Sequence, residues 1–301
     1  MSLPRPVYPG AFLLVTRRCT QRQFLLRPDA FTNNAVIYCL AVAALRYGIV
    51  VLDFIHMSNH LHEVLYDRYG NAPAFFEHFH RLLAKCMNAK RGRWENFFSS
   101  EQVSVVRLDS LDDVIDRLVY VATNPVKDGL VARVDDWPGA SGHRAVVEGR
   151  ALHATRPDCF FSATGTMPAE ITLDLEIPAE LGDRDAILTK VCERVATLES
   201  VEASRRARSG SRVLGRDTVL RQSWRDSPTS REPRRNLSPT FAARTLWARI
   251  EAMQRKRDFT EQYRRARLSL LAGTPVPFPP GTYWLKRFAG VSVDDIPKSA
   301  N

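Results

Sequence analysis

Between residues 49 and 66 two apolar runs, IVVLDFIH and HLHEVLY, are separated only by Met57-Ser58-Asn59. Each run is rich in β-branched and aromatic residues and too short for a buried helix, so a three-residue gap directs them into an antiparallel hairpin. The rest of the N-terminal half has to pack on that hairpin. AFLLVTRR at 11–18 reads as a strand, and residues 31–47 read as a helix with Thr32 or Asn33 as its cap and Gly48 as its stop. Residues 73–90 form an amphipathic helix with Phe76, Phe79, Leu83 and Met87 on one face. Residues 103–108 form a strand, and 111–124 a helix capped by Ser110 and ended by Pro125. The order β-α-β-β-α-β-α predicts an α+β fold, a ferredoxin-like antiparallel sheet with packed helices.

Three of the seven histidines fall at 56, 60 and 62. Alternate residues of a strand share a face, so His60 and His62 project side by side while Leu61 points the other way. Two adjacent imidazoles can chelate one divalent ion, and equally they can be an ordinary packed pair. The helix at 111–124 offers two further groups on one face, Tyr120 and, four residues on, Asn124. An amide oxygen from Asn124 would add a third ligand. Mixed imidazole and oxygen donors with open positions suit Mg²⁺ or Mn²⁺ holding a phosphate. The Tyr120 hydroxyl would then lie near the bound phosphate. A phenol ionises near pH ~10 and needs a cation beside it to act as a nucleophile. Attack on a phosphodiester would leave a phosphotyrosine ester and free a 3′ hydroxyl. Read by spacing alone, Tyr120 is equally a helix tyrosine with its ring in the core and its hydroxyl at the rim.

Met57-Ser58-Asn59-His60-Leu61-His62 resembles the Met-Pro-Asn-His-hydrophobic-His motif of the REP-associated tyrosine transposases, bacterial relatives of the single-tyrosine HUH transposases. Tyr120-Val121-Ala122-Thr123-Asn124-Pro125-Val126-Lys127-Asp128-Gly129-Leu130-Val131 resembles that family's Tyr-Ile-x-x-Asn-Pro-Val-Arg-Ala-Gly-Leu-Val. The opening strand from Pro9-Gly10-Ala11 and the stretch from Asn88 through Trp94 to Phe98 are also similar, so the resemblance covers residues 8–140. It implies a catalytic domain over 1–145 in which His60, His62 and Asn124 bind Mg²⁺ or Mn²⁺ and Tyr120 is the nucleophile. Its implied partner is single-stranded DNA with hairpins, cleaved and rejoined, or bound without cleavage by a regulator of the same fold. Arg17, Arg18, Arg22, Lys85, Lys90, Arg91 and Arg93 become candidate phosphate contacts and Trp94 a candidate stacking group. Ser58 stands where the family has proline, and Glu63 where it has an apolar residue. A third reading is a zinc hydrolase using His56, His60 and His62, which the absence of an acidic base in the motif disfavours.

Charge is concentrated outside that domain. Of the net +10, residues 1–150 supply +3, residues 151–203 supply −6, and residues 204–265 supply +11. The basic block is nearly all arginine, suited to bidentate phosphate contact. Trp224, Trp247 and Tyr263 lie within it. From Trp137-Pro138-Gly139 to Gly165 the apolar pattern loosens, and residues 146–301 are expected to be a mostly helical, basic region with long helices at 185–208 and 242–271. A Ser-, Pro- and Arg-rich arm at 223–239 is expected between them. Five cysteines without a CxxC argue against a disulfide framework. The longest apolar run, residues 35–45, is shorter than the roughly 20 residues that span a bilayer. The expectation is a cytoplasmic, nucleoid-associated monomer or homodimer with no membrane contact.

Overall fold

The computed structural model describes residues 4–230 and 239–295. The N-terminal half runs β1 (Ala11–Arg18), α1 (Ala30–Tyr47), β2 (Ile49–His56), β3 (His60–Asp67), α2 (Ala72–Arg91), β4 (Ser104–Leu108) and α3 (Leu111–Lys127). Then follow α4 (His143–Glu148), β5 (Leu152–Thr155), β6 (Glu170–Leu173), α5 (Arg184–Ser209), α6 (Arg216–Arg221), β7 (Phe241–Ala242), α7 (Leu246–Leu271) and α8 (Trp284–Ala289). No helix among the described residues is long and apolar enough to cross a membrane.

The main sheet has the order β2-β3-β1-β4-β7. Its first four strands are antiparallel neighbours, and β7 adds a short parallel pairing to β4. This is the ferredoxin-like arrangement expected from the element order, with the β2–β3 hairpin turning at residues 57–59. The two sheet faces are covered differently. Leu13, Val15, Leu61 and Leu65 face α1 and α2. Leu14, Val64, Tyr66 and Val106 face α3, with Ile187, Leu188, Val191 and Val195 of α5 joining the same core. An α/β/α sandwich results.

The sheet edges are closed by chain from beyond residue 139. His56 N–H donates to the Ala140 carbonyl (3.1 Å), Gly142 N–H to Phe54 (2.8 Å) and Glu176 N–H to Val51 (3.1 Å) along the β2 edge. Residues 139 and 142 must be small for this. A Cβ on Gly139 would meet the His56 carbonyl oxygen at 2.9 Å, and one on Gly142 would meet Asp53 Oδ1 at 2.7 Å. Such closure removes an open strand edge.

Local details depart from the sequence expectations. Helix α1 is capped by Asp29, whose Oδ1 accepts from Thr32 N–H at 2.7 Å, rather than by Thr32 or Asn33. Asn33 is instead committed to His56 and the Pro138 carbonyl. Pro125 does not end α3: the helix continues to Lys127 because a proline in its last turn forfeits one N–H bond while Val126, fully buried, anchors the extra turn. Ser110 caps this helix as expected, accepting from Asp113 N–H. Helix α7 begins at Leu246, capped by Thr245, because residues 241–242 are drawn into the sheet. The β5–β6 hairpin was not expected where the apolar pattern loosens. Of the expected arm at 223–239, residues 231–238 lie outside the described residues.

Glu63 is the odd member of β3. It pairs with Val15 and Phe54 in the sheet interior, is 1% exposed, and neither carboxyl oxygen has a hydrogen-bond partner among the described residues. Burial pushes its carboxyl well above the ordinary glutamate value of 4.5. The folded state therefore holds this proton more tightly than the unfolded chain. The stability it preserves is complete below about pH 4.5 and is lost as pH rises toward the folded value, at about 1.4 kcal/mol per pH unit. Glu63→Met is expected to raise the melting temperature at pH 8, and to raise it less at pH 5, when thermal unfolding is followed by circular dichroism at both.

Candidate active site

The candidate residues converge on the α3 face of the sheet. His60 and His62 project there from β3, with ring centroids 4.8 Å apart in an edge arrangement. Helix α3 crosses above them, and the Tyr120 ring stands 5.2 Å from that of His62. Asn124 Nδ2 lies 3.4 Å from His62 Nε2. Residues 60 apart in sequence thus share one cluster, whose helical members the i, i+4 spacing had placed on one face.

Each histidine has a partner that fixes it. Thr16 of β1 pairs directly with His62 in the register, and its Oγ1 lies 2.8 Å from His62 Nδ1. That leaves Nε2 as the nitrogen turned toward Asn124. His60 Nδ1 is 2.7 Å from the Asn59 side-chain oxygen. His62 is buried, and burial first, then the charges of His60 and Arg18, hold it well below the ordinary histidine range. It is a neutral imidazole at physiological pH, the form that ligates metals.

Asn124 is 5% exposed, and its Oδ1 has no hydrogen-bond partner among the described residues. A buried acceptor without a donor costs about 1–3 kcal/mol, and one beside two imidazoles is placed to serve as an oxygen ligand. This orphaned oxygen and the neutral His62 are the features that fit a small divalent cation. Among the described residues no group of three or more His, Cys, Asp or Glu side chains is arranged to hold a metal. Any cation here relies on two imidazoles and an amide.

Tyr120 is half-buried. Burial first, then the Asp128 carboxylate, raise its hydroxyl above the ordinary value, while Arg117, Asn124 and Arg18 act in the opposite direction. The Lys127 ammonium lies 5.5 Å from the ring centroid. Without further positive charge, Tyr120 is a phenol at neutral pH.

His56 is not part of this cluster. Opposite Leu61 in the hairpin, it faces α1, where its Nε2 accepts from Ala140 N–H (2.8 Å) and lies 2.8 Å from Asn33 Oδ1. Burial lowers it to about 4. The three-histidine zinc arrangement therefore fails, because the sheet separates His56 from His60 and His62.

The candidate phosphate contacts spread over several surfaces. Arg18 is exposed at the end of β1 opposite His60 and shares the face of the cluster. Arg17 faces the other way, with its guanidinium bonded to the Glu101 carbonyl and lying 5.4 Å from the Phe98 ring. Arg22 donates to the Ser230 carbonyl. Lys85 is exposed on α2, and Lys90 lies 4.5 Å from the Phe31 ring. Arg91 and Arg93 flank Trp224, and Trp94 is 89% exposed. Thr16 was not found by sequence reasoning. Strand alternation places it on the Arg18 face, but only the register puts it against His62.

No protein-family model matches this sequence, and no curated protein matches it. A solved structure of a REP-associated tyrosine transposase bound to a REP hairpin bears a weak structural resemblance. It is 16% identical, covering 59% of this chain and 99% of that one, with a TM-score of 0.42.

The geometry makes Thr16 a positioning residue for His62. In a Mn²⁺ titration followed by calorimetry, Thr16→Val is expected to weaken binding about 10- to 100-fold, the usual cost of losing a group that orients a metal-binding histidine. His62→Ala is expected to abolish binding, with the fold checked by circular dichroism.

Proposed function

We propose that this protein is a metal-dependent endonuclease and strand-transferase acting on single-stranded DNA, with Tyr120 as nucleophile and hairpins as its target. The observation that carries this reading is the meeting of Tyr120 and Asn124 with His60 and His62 on one sheet face. The motifs shared with the REP-associated tyrosine transposases accord with it. So does the chemistry of the donor set: a neutral imidazole, a second imidazole beside it and an unpartnered amide oxygen.

His60, His62 and Asn124 would hold Mg²⁺ or Mn²⁺, which supplies Lewis acidity toward a phosphoryl oxygen and positive charge beside the phenol. Thr16 fixes the ring of His62. Arg18 and Arg117 favour the phenolate form of Tyr120, against its burial and against Asp128. The phenolate oxygen then forms a bond to phosphorus as the phosphorus–O3′ bond breaks, and the departing 3′ oxygen takes up a proton. Since a phosphodiester is exchanged for a phosphotyrosine ester, a 3′ hydroxyl can reverse the step and rejoin a strand.

Incubation with an end-labelled hairpin oligonucleotide and Mn²⁺, followed by a denaturing gel, is expected to show a covalent protein–DNA band. Tyr120→Phe is expected to remove the band while leaving DNA binding, and Asn124→Ala to slow its appearance at least 10-fold. A band that persists in Tyr120→Phe would overturn the assignment. Cleavage without a covalent band would mean hydrolysis by water, and binding alone a regulator of the same fold.

A further inference from the structure

Residues 222–230 return from α6 across the sheet end that carries His60. Ser58 Oγ donates to Gln222 Oε1 (3.3 Å), Phe24 N–H to the Asp226 carbonyl (2.8 Å), and Arg22 Nη1 to the Ser230 carbonyl (2.7 Å). Arg27 Nη1 donates to the Leu220 carbonyl just before this segment (2.7 Å). These bonds seat Trp224 among three guanidinium groups. Arg225, Arg91 and Arg93 lie 4.9, 5.4 and 5.9 Å from its ring centroid.

Among the described residues none of the three arginines forms an ion pair. Asp29, whose charge favours the Arg91 cation, is bonded to Arg27 at 2.7 Å. Burial first, then the neighbouring Arg27 and Arg93 cations, pull Arg91 down to about 10. Contact with the indole face gathers the cations but does not neutralise them. The cluster keeps a net positive charge that an anionic partner would complement. Guanidinium forks suit phosphate oxygens in particular. Trp224 is already surrounded by cations, so it organises the arginines, and Trp94, next to Arg93 in the chain and 89% exposed, is an aromatic face open to a base. Cations and an open aromatic together favour a nucleic-acid strand over an acidic protein.

We infer that Arg91, Arg93 and Arg225, gathered on Trp224, bind the phosphodiester backbone of a single-stranded nucleic acid at the His60 end of the sheet, so that the C-terminal strap completes the interface. The inference rests on the proposed function and extends it to a segment that the motif resemblance does not reach.

The full-length protein is titrated against a fluorescent oligothymidylate by anisotropy over a range of salt. Each contacted phosphate of a single strand contributes about 0.7 to the slope of log affinity against log salt, so Arg91→Gln/Arg93→Gln/Arg225→Gln is expected to flatten that slope by about 2. A charge-matched control on exposed α7, Arg249→Gln/Lys256→Gln/Arg257→Gln, is expected to leave it nearly unchanged. Trp224→Ala is expected to follow the arginine variant and Trp224→Phe to restore binding. If the triple variant does not fold, Arg225→Gln, at an exposed position, is expected to flatten the slope by about 0.7. Equal losses in the cluster and control variants would overturn the inference. So would an unchanged slope in the cluster variant while the wild type binds DNA and forms its Tyr120 adduct, which leaves the proposed function standing. Slope loss in the cluster without any adduct would support the interface and remove the chemistry. A wild type that neither binds nor reacts would sink both.

Discussion

The pairing of β1 with β3 is the constraint on which the rest of the molecule depends. Strand β3 lies between β1 and β2, so its register is held from both sides, and a slip of one residue would exchange its two faces. In the observed register His60 and His62 look toward α3 while Leu61 and Leu65 enter the core beneath α1 and α2. The same register sets Thr16 against His62 and Arg18 against His60. One ladder thus determines which side of the sheet carries the histidine pair and which carries the larger part of the core. Glu63 shows how strongly it is held. A carboxyl with no partner is tolerated inside the sheet because moving it outward would bury the histidines on the wrong face.

Period-two alternation and a three-residue gap made the hairpin legible in the sequence, and the i, i+4 spacing made the pairing of Tyr120 with Asn124 legible on the helix. What alternation cannot reveal is which residue of a neighbouring strand comes opposite, and so Thr16 was invisible although its β-strand was evident. The zinc alternative needs His56 beside His60 and His62, and the hairpin register sets it opposite Leu61 instead. Pro125 was read as a helix end because the sequence does not show that Val126 has a core to fill. Asn33 does not cap α1 because its side chain is occupied with His56, and Asp29 takes the cap by accepting from Thr32 N–H.

The charge count was similarly informative in sign and uninformative in place. The arginine block at 204–265 is concentrated in sequence, but its members go to different ends of the fold. Arg244 pairs with Asp112 and Asp116, and Arg255 with Asp109, just before and along the first two turns of α3. Those cations are neutralised within the chain. Arg225 travels instead to the His60 end, through hydrogen bonds linking positions more than 160 residues apart. Long-range docking of this kind leaves no periodic trace in a sequence.

The closure of the sheet has a consequence for how the chain is made. Synthesis proceeds from the N-terminus, and β1 to β4 emerge long before the segments that cover their edges. The β2 edge waits for residues 140–142 and 176, and the β4 edge for residues 240–242. A nascent chain therefore carries its complete histidine hairpin on a sheet whose two borders are covered one after the other, that of β2 first and that of β4 only when residues 240–242 emerge. During that interval the borders are open to pairing with other chains, and the late arrival of Phe241 and Ala242 covers Arg107 and Leu108.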